Sequence, residues 1–233
     1  MKYTFKKTIV VDLGGSIVFP NEINMEFLRE FTKLITRFSK KHKFLIIMGG
    51  GKLARNYQQT AEKIRPLSTK EKDWLGIYAT RANAKLVQTV FGKIADTQII
   101  DSREGAKKLK KLRKPITVGA GWTPGWSTDY VSAELAHIYG AREIIVAGKP
   151  SHVYEKNPDI HTNAKRFDEM TWKEYWGIVP NKKWSSGAQA PIDPVAAKFC
   201  RAHKINAIVI NAGNLKNTEH LLMGKDFEGT IIQ

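Results

Sequence analysis

The stretch that decides the fold is Leu45-Ile-Ile-Met-Gly-Gly-Gly-Lys-Leu-Ala-Arg55. An apolar run ends in three glycines, and residues 52–64, which suit a helix, follow at once. Glycines between a strand and a helix let backbone N–H groups close around an anion, and the helix dipole favours negative charge there. The spacing is neither GxGxxG nor GxxxxGK[ST], so no standard nucleotide motif assigns it. Taken alone, the stretch suits a tight turn as well as it suits a phosphate site.

A similar pattern occurs earlier in the chain. Thr8-Ile-Val-Val-Asp-Leu13 is rich in β-branched residues and predicts a buried strand, which ends in Gly14-Gly-Ser16. Residues 44–48 predict the next strand, and the three glycines follow it. Ligands of open α/β sheets bind at the carboxyl ends of strands. Two consecutive glycine turns at that edge therefore favour an anion site over a turn alone.

The composition is that of a globular protein, but the net charge is unusual. The 233 residues are 42% hydrophobic and 26% charged, and the formal charge of +16 implies an anionic partner, a nucleic acid or a lysine-rich surface. The densest basic cluster, Lys107-Lys-Leu-Lys-Lys-Leu-Arg-Lys114, spaces its two leucines three apart. That spacing favours a short amphipathic helix with a solvated face, so we expect no nucleic-acid partner.

Cysteine and histidine usage and the N-terminus exclude several classes of protein. Cys200 is the single cysteine, so no intramolecular disulfide forms, and its apolar neighbours predict a buried thiol. The histidines lack the spacing of metal ligands, and we expect no metal held by protein side chains alone. The apolar run at residues 9–13 is too short for a signal peptide or a membrane span. We expect a cytoplasmic protein with no membrane partner.

The remaining pattern predicts an α/β fold, a three-layer αβα sandwich with a mainly parallel sheet. Strands and helices alternate up to Gly148, and the texture then becomes more irregular, so we expect one domain with lobes at about 1–147 and 148–233. Strands are predicted at 8–13, 44–48, 97–100, 115–119, 143–147, 205–210 and 229–232. Helices are predicted at 27–38, 52–64, 74–90, 103–112, 131–139, 167–176 and 219–223, with a further helix beginning at Pro194 after Asp193 as its N-cap. A loop with a short hairpin is expected at 149–165, and a polar loop at 181–191.

Two further stretches carry candidate chemistry. In Thr123-Pro-Gly-Trp-Ser-Thr-Asp129 the hydroxyls and the free N–H groups of a following helix suit a phosphate and a sugar. The alternative is that Thr128 or Asp129 caps the helix and Trp126 packs. Asp73, near the start of the helix at 74–90, suits a ribose hydroxyl or complements the helix dipole.

The motifs in chain order resemble the amino acid kinase superfamily, and most closely its archaeal uridylate (UMP) kinase type. They are Asp12-Leu-Gly-Gly-Ser16, Gly49-Gly-Gly-Lys-Leu-Ala-Arg55, Thr80-Arg-Ala-Asn83, Pro124-Gly-Trp-Ser-Thr-Asp129 and Ile192-Asp-Pro-Val-Ala-Ala-Lys198. The resemblance covers essentially the whole chain. It implies transfer of the ATP γ-phosphate to UMP with Mg²⁺, in pyrimidine nucleotide biosynthesis, by a homo-oligomer that is often a hexamer.

The resemblance also implies roles for individual residues. The residues expected around ATP are Asp12, Leu13, Gly14, Gly15, Ser16, Gly51, Arg55, Tyr154 and Asn157. Those expected around UMP are Gly50, Asp73, Gly121, Trp122, Thr123, Pro124, Gly125, Trp126, Ser127 and Thr128. Asp129 matches the carboxylate that organises the superfamily's catalytic centre, and Lys52 and Arg55 are the expected catalytic cations. An acceptor phosphate is already anionic, so the reaction consists of positioning and charge neutralisation without a general base.

Two departures from the family pattern leave alternatives open. Asp12 stands where many superfamily members carry a lysine, so another cation must serve. The family's ATP loop is changed to Gly148-Lys-Pro-Ser-His-Val-Tyr-Glu-Lys-Asn-Pro158, where a hydroxyl, a carboxylate and a charge are lost. The alternatives to UMP kinase are a kinase of another small acceptor and a non-catalytic binder of nucleotides or oxyanions.

Overall fold

In the computed structural model, residues 1–158, 160–179 and 190–233 are described. The strands are β1 (Thr8–Leu13), β2 (Lys43–Met48), β3 (Ile116–Gly119), β4 (Glu143–Gly148), β5 (Val153–Tyr154), β6 (Arg166–Phe167), β7 (Glu169–Met170), β8 (Asn206–Asn211) and β9 (Thr230–Ile232). The helices are α1 (Gly15–Val18), α2 (Met25–Phe38), α3 (Gly51–Ile64), α4 (Thr69–Phe91), α5 (Arg103–Lys108), α6 (Thr128–Ile138), α7 (Trp172–Ile178), α8 (Pro194–His203) and α9 (Leu215–Leu222). A 3₁₀ turn, Gly92–Ile94, follows α4.

The central sheet has the strand order β3-β2-β1-β4-β8-β9-β7. The strands from β3 to β8 run parallel, β9 is antiparallel to β8, and β7 is parallel to β9. β5 and β6 form a separate antiparallel pair. The carboxyl ends of β1, β2, β3, β4 and β8 therefore lie along one edge of the sheet, called here the carboxyl edge. Their first residues lie along the opposite, amino edge.

The core lies on both faces of this sheet. Alternate residues of β1 point to opposite sides, so that Ile9 and Val11 pack with α2, α4 and α9 while Val10 packs with α6 and α8. The parallel strands are buried on both faces, which explains their continuous apolar sequences. The predicted α/β class with a three-layer αβα sandwich is confirmed.

Three predicted elements are wrong. Residues 97–100 do not form a strand; the segment makes only single bridges to β3, at Ala95 and Ile100. The helix predicted at 103–112 ends at Lys108, and Lys110 has a left-handed backbone with φ of 50°. The helix predicted at 167–176 begins at Trp172, because the residues before it pair as β6 and β7.

Other predictions are confirmed by burial and capping. Cys200 is 0% exposed, and burial raises the pKa of its thiol. Asp193 caps α8 and Pro194 occupies its first turn. The structure also shows a φ of 67° at Gly140 just beyond α6, a backbone conformation that favours glycine at a helix end. Most of the loop predicted at 181–191 lies outside the described residues. None of the described helices combines the length and the apolar character needed to cross a membrane.

Candidate active site

The two glycine turns interlock at the carboxyl edge. The N–H of Gly14 donates to Ala147 O at 2.9 Å, and the N–H of Gly49 donates to Leu13 O at 2.9 Å. A Cβ on Gly15 would lie 2.2 Å from Gly49 O, a contact that no larger residue tolerates. The turns after β1 and β2 therefore touch backbone to backbone, which only glycine permits. This close approach explains why glycines follow both strands.

The N-terminus of α3 opens from this contact. Gly51 has a φ of +61°, and Gly50 is the N-cap residue without any capping side chain. The first turn of α3 contains no acidic residue, so its N–H groups and the helix dipole are available to an anion. Lys52 is partly exposed and Arg55 is exposed, and within the described part of the chain neither has an ion pair or a side-chain hydrogen bond. The arrangement is a positively charged site that can bind an anion, called here the anion cradle.

Asn83 fixes the triple-glycine turn from α4. Its amide nitrogen donates to Gly49 O at 2.9 Å and to Gly50 O at 3.3 Å. The side chain is 3% exposed, so these bonds form in a water-poor setting. Sequence reasoning included Asn83 in a family motif but gave it no role. A buried amide on a helix face, one turn from Thr80, was the available signal.

Thr80 connects the same helix to the loop at residues 121–128, called here the acceptor loop. Its hydroxyl accepts the N–H of Gly121 at 2.8 Å and donates to Ile77 O at 2.6 Å. Both bonds are buried. Thr80 was also missed as a site residue. α4 therefore holds the triple-glycine turn and the acceptor loop in one rigid relation.

Asp73 reaches the far side of the acceptor loop. Its Oδ2 accepts the N–H of Gly125 at 2.8 Å, and Gly125 has a φ of +88°. Asp73 is 7% exposed and lies beyond the first turn of α4, where Ser68 is the N-cap and Glu71 completes the capping box. Dipole compensation is therefore the role of Glu71. Asp73 orders the loop, and its contact with a ribose stays a prediction.

The aromatic residues of the acceptor loop pack inward. Trp122 is 5% exposed, and its indole N–H donates to Ile100 O at 3.3 Å, so only its backbone is available to a ligand. The guanidinium of Arg103 lies 4.9 Å from the Trp126 ring centroid. The ring of Trp126 also contacts Tyr130, at 4.8 Å between centroids. The packing alternative for Trp126 holds; Thr123 is exposed and Pro124 is partly exposed.

Ser127 links α6 to α8. Its hydroxyl accepts the N–H of Tyr130 at 3.0 Å as the N-cap of α6, and it donates to the Asp193 carboxylate. The alternative in which Thr128 or Asp129 caps this helix is therefore wrong. Asp129 instead accepts the N–H of Asp193 at 2.7 Å. The caps of α6 and α8 thus hold each other at the carboxyl edge.

Two carboxylates meet beneath this junction. Asp12, at the end of β1, is 4% exposed and faces Asp129, Thr128 and Ser132. Burial, together with the neighbouring charge of Asp129, raises the pKa of Asp12 well above its ordinary value. Burial followed by the charge of Asp193 raises the pKa of Asp129 to about 6. At neutral pH this pair retains a proton more readily than isolated carboxyls do.

The residues expected around ATP, the phosphate donor, fall into two groups. Leu13 is fully buried and contributes its carbonyl to Gly49, while Ser16 lies in the first turn after β1. Tyr154 lies in β5, beyond the end of β4, and its hydroxyl is 3.1 Å from Ser151 Oγ. The N–H of Val153 donates to the Thr230 hydroxyl at 2.8 Å, which ties this segment to β9. Asn157 is exposed, and its carbonyl accepts the N–H of His161 at 2.9 Å.

The structure therefore brings one set of expected residues together and leaves another apart. The glycines of both turns, Asp12 and Asp129 converge at the carboxyl edge, and Asp73 joins them through the acceptor loop. Tyr154 contacts Ser151 and His152 and pairs with β6. Fold and site together define an open α/β protein with an anion cradle where two glycine turns meet.

Known proteins match this description over nearly the whole chain. Residues 7–211 match the Amino acid kinase family. Curated relatives include the uridylate kinase of Pyrococcus abyssi, 35% identical over 225 residues, and that of Methanocaldococcus jannaschii, 33% identical over 232 residues; in each case 97% of this chain and 99% of the relative are covered. The crystal structure of uridylate kinase from Archaeoglobus fulgidus has a TM-score of 0.82 at 32% identity and covers 98% of this chain and 100% of that one. This chain belongs to the amino acid kinase family.

Proposed function

We propose that this protein is a UMP kinase, which transfers the γ-phosphoryl group of ATP to UMP and yields UDP and ADP. The observation that carries the proposal is the meeting of two glycine turns beside the open N-terminus of α3, with Asp129 against Asp12 near the end of β1. Such a site accommodates two phosphate chains at one place. The near-full-length likeness to uridylate kinases supports UMP as the acceptor.

On the donor side, we assign the phosphates of ATP to the turn of Gly14, Gly15 and Ser16 and to Gly51. Arg55, which has no partner within the described residues, adds a mobile positive charge within one turn of Gly51. The adenine is assigned to Tyr154, and Asn157 to the same end of the nucleotide. This is the end at which the sequence departs from the family's ATP loop.

On the acceptor side, we assign UMP to Gly50 and the acceptor loop. The backbone of Gly121 to Gly125 is held by Thr80 and Asp73, so its polar groups are in place before the ligand arrives. Thr123 and Thr128 supply hydroxyls at the mouth of the loop. Ser127 is engaged with Asp193 and acts by fixing the loop's end.

The chemistry requires neutralisation of charge rather than proton abstraction. The attacking oxygen belongs to a phosphate that is already anionic at neutral pH, so no general base is needed. Lys52, Arg55 and the N–H groups at the start of α3 stabilise the negative charge that the two phosphate chains bring together. Asp129 orients this centre, since it fixes the start of α8 through the N–H of Asp193.

Mg²⁺ fits the donor set at this edge. Asp12 Oδ2 is buried without a hydrogen-bond partner among the described residues, and Asp129 lies next to it. Carboxylate oxygens are the ligands that Mg²⁺ prefers, usually together with substrate phosphates. Asp12 and Asp129 would hold the ion, which supplies positive charge to the phosphates when bound.

We further infer that the active form is a homo-oligomer, with a hexamer as the expected state, in the cytoplasm and in pyrimidine nucleotide biosynthesis. The support for association is the outer face of the α3–α4 hairpin. Ala54 is the buried residue of α3, while Tyr57 is 50% and Ile64 82% exposed. Tyr78 of α4 adds a side chain that is 60% exposed. Exposed apolar faces of this kind mark contacts between proteins.

A coupled assay of ADP formation tests the proposed function. UMP, CMP, isopentenyl phosphate and acetylglutamate serve in turn as acceptors, with ATP and Mg²⁺. We expect kcat/KM for UMP to exceed that for each other acceptor at least about tenfold, the discrimination that about 1.4 kcal/mol supplies. A preference for another acceptor would assign a different kinase, and tight nucleotide binding without turnover would assign a non-catalytic binder.

A further inference from the structure

The amino edge of the sheet, opposite the candidate active site, is lined with cations. Each parallel strand is preceded by a basic side chain one or two residues before its start. In sheet order these are Lys114 before β3, Lys41 before β2, Lys7 before β1, Arg142 before β4 and Lys204 before β8, and all are exposed. The row of these residues is called here the basic edge.

Backbone pairing fixes the order of this row. The N–H of Lys43 donates to Lys7 O at 2.7 Å, and that of Phe44 donates to Pro115 O at 2.8 Å. At the other end, the N–H of Asn206 donates to Arg142 O at 2.8 Å. Neighbouring strands lie about 4.8 Å apart, so five strand starts span about 19 Å. The cations are therefore a spatial array that is not visible along the chain.

Further side chains accompany the row at its two ends. Beyond β3, the segment that follows α5 adds Lys110, Lys111 and Arg113, all exposed. This segment is a loop rather than the amphipathic helix its leucines predict, and Lys110 has a φ of 50°. At the β4–β8 end, Arg142 and Lys204 of the row line a surface cleft together with His137 and His203.

Few carboxylates oppose this charge. Glu143, at the first position of β4, is 2% exposed and is bonded to the Tyr3 hydroxyl. Asp96 is partly buried and accepts the N–H of Gln98. Asp226 is paired with the N-terminal amino group and Lys2. The carboxylates near the basic edge are therefore buried or already paired, and they leave its cations largely uncompensated.

We propose that the basic edge binds the phosphate backbone of a double-stranded nucleic acid, without reading its sequence. A duplex carries one charge per about 1.7 Å of its axis when both strands are counted, so about eleven phosphates lie along the length of the array and about half of them face it. Lysine is depleted at protein–protein interfaces, so a lysine-rich edge does not favour a protein partner. Insertion into a membrane surface requires exposed large apolar side chains. Among the described residues, none of the strongly exposed large apolar side chains lies in the segments that form the edge. Single strands bind where aromatic rings stack on bases. The basic edge is instead a row of lysine and arginine side chains.

Fluorescence anisotropy of a labelled DNA duplex of about 24 base pairs tests this proposal, with KCl varied between about 50 and 200 mM. Two variants remove cations from the ends of the row: Lys110→Gln with Lys111→Gln, and Arg142→Gln with Lys204→Gln. Each is expected to weaken binding at least about fivefold and to reduce the slope of log K against log salt by about 2. Saturating ATP and UMP should leave binding unchanged, because the candidate active site lies at the opposite edge.

The matched control is Lys63→Gln with Lys70→Gln. Both lysines are exposed, at the far end of the α3–α4 hairpin, and the variant loses the same charge. It should bind within about twofold of the wild type. An equal loss in this control would show that net charge alone acts, and absence of duplex binding at low salt would overturn the proposal. Tighter binding of a single strand of the same length would overturn the assignment to duplexes.

Discussion

At the scale of single residues, Asp129 combines structural and chemical roles. Its carboxylate accepts the N–H of Asp193 at the start of α8 and lies against Asp12. A carboxylate in such a position carries a cost in stability, because burial opposes its charge. The protein retains that charge at the point where the proposed reaction needs an oriented carboxylate.

Asp129→Asn should separate these roles. Burial raises the pKa of Asp129 from its ordinary value of 3.8 to about 6, so the folded state holds the proton more strongly than the unfolded state. The destabilisation is absent below about pH 4, grows as the pH rises to about 6 and is complete above it. The variant should therefore gain about 3 °C in Tm at pH 8 and little at pH 4, while turnover falls at least about 100-fold.

Thermal unfolding at the two pH values and the coupled assay measure both effects. Asp226→Asn is the control, since that side chain is 74% exposed and remote from the carboxyl edge. A pH-independent change in Tm for Asp129→Asn would contradict the assigned ionisation. An unchanged turnover would remove Asp129 from the catalytic centre.

Arg55→Ala tests the proposed cation. The side chain is exposed and unpaired within the described residues, so its loss should leave Tm within about 2 °C. Turnover should fall at least about 100-fold, because the charge acts on the phosphates. Lys63→Ala, on the same helix and about two turns further along, should change neither quantity. Parallel losses of Tm and activity in Arg55→Ala would make Arg55 a structural residue.

At the scale of elements, α4 is the rigid support of the site. Asn83 and Thr80 face the sheet from successive turns and hold the triple-glycine turn and the acceptor loop. The same helix carries Gln88, whose amide donates to Asp96 O at 2.8 Å near the amino edge. Two buried amides on one helix thus make similar bonds, one of them at the site and the other away from it.

The comparison of these two amides gives a test, in which Asn83→Asp is the variant at the site. The change keeps the shape but removes the donor to two carbonyls, so we expect a loss of roughly 2 kcal/mol and at least about a tenfold drop in kcat/KM for both substrates. Gln88→Glu is the matched control and should lose stability without losing activity. Denaturant unfolding and steady-state kinetics give both quantities. If both variants lost activity equally, general softening of α4 would explain the effect.

Glycine substitutions test the interlocked turns. Gly15→Ala places a Cβ 2.2 Å from Gly49 O and should abolish tight nucleotide binding and lower Tm. Gly177→Ala, in α7, meets nothing within 4 Å and should stabilise the fold by up to about 1 kcal/mol. Calorimetric titration with ATP distinguishes the two. Wild-type ATP affinity in Gly15→Ala would contradict the role of the contact.

At the scale of the whole molecule, the sequence predicts the architecture better than it predicts contacts. The β-branched run of β1 and the apolar run of β2 predict a buried parallel sheet, because strands covered on both faces need no polar alternation. The helix expected at 103–112 fails because Leu109 and Leu112 mimic a helical spacing in a loop that packs against the sheet. The segment 167–170 is too short to show a strand period, and its pairing depends on β9, which is distant in sequence.

The candidate site, too, is predictable from the sequence only in part. Glycines at strand ends are visible in the sequence because their backbone role excludes other residues. The functions of Asn83, Thr80 and Ser127 depend on partners 34, 41 and 66 residues away, which no local pattern encodes. The basic edge is hidden for the same reason, since five separate loops contribute to it.

The central claim is that two phosphate chains meet at the paired glycine turns. The most direct test is calorimetric titration with a bisubstrate ligand, adenosine and uridine joined by five phosphates. If donor and acceptor phosphates meet there, this ligand should bind at least about 100-fold more tightly than either ATP or UMP, because one molecule fills both sites. Gly15→Ala should abolish that advantage. Affinity no higher than that for ATP alone would show that the two phosphate chains do not meet at this place.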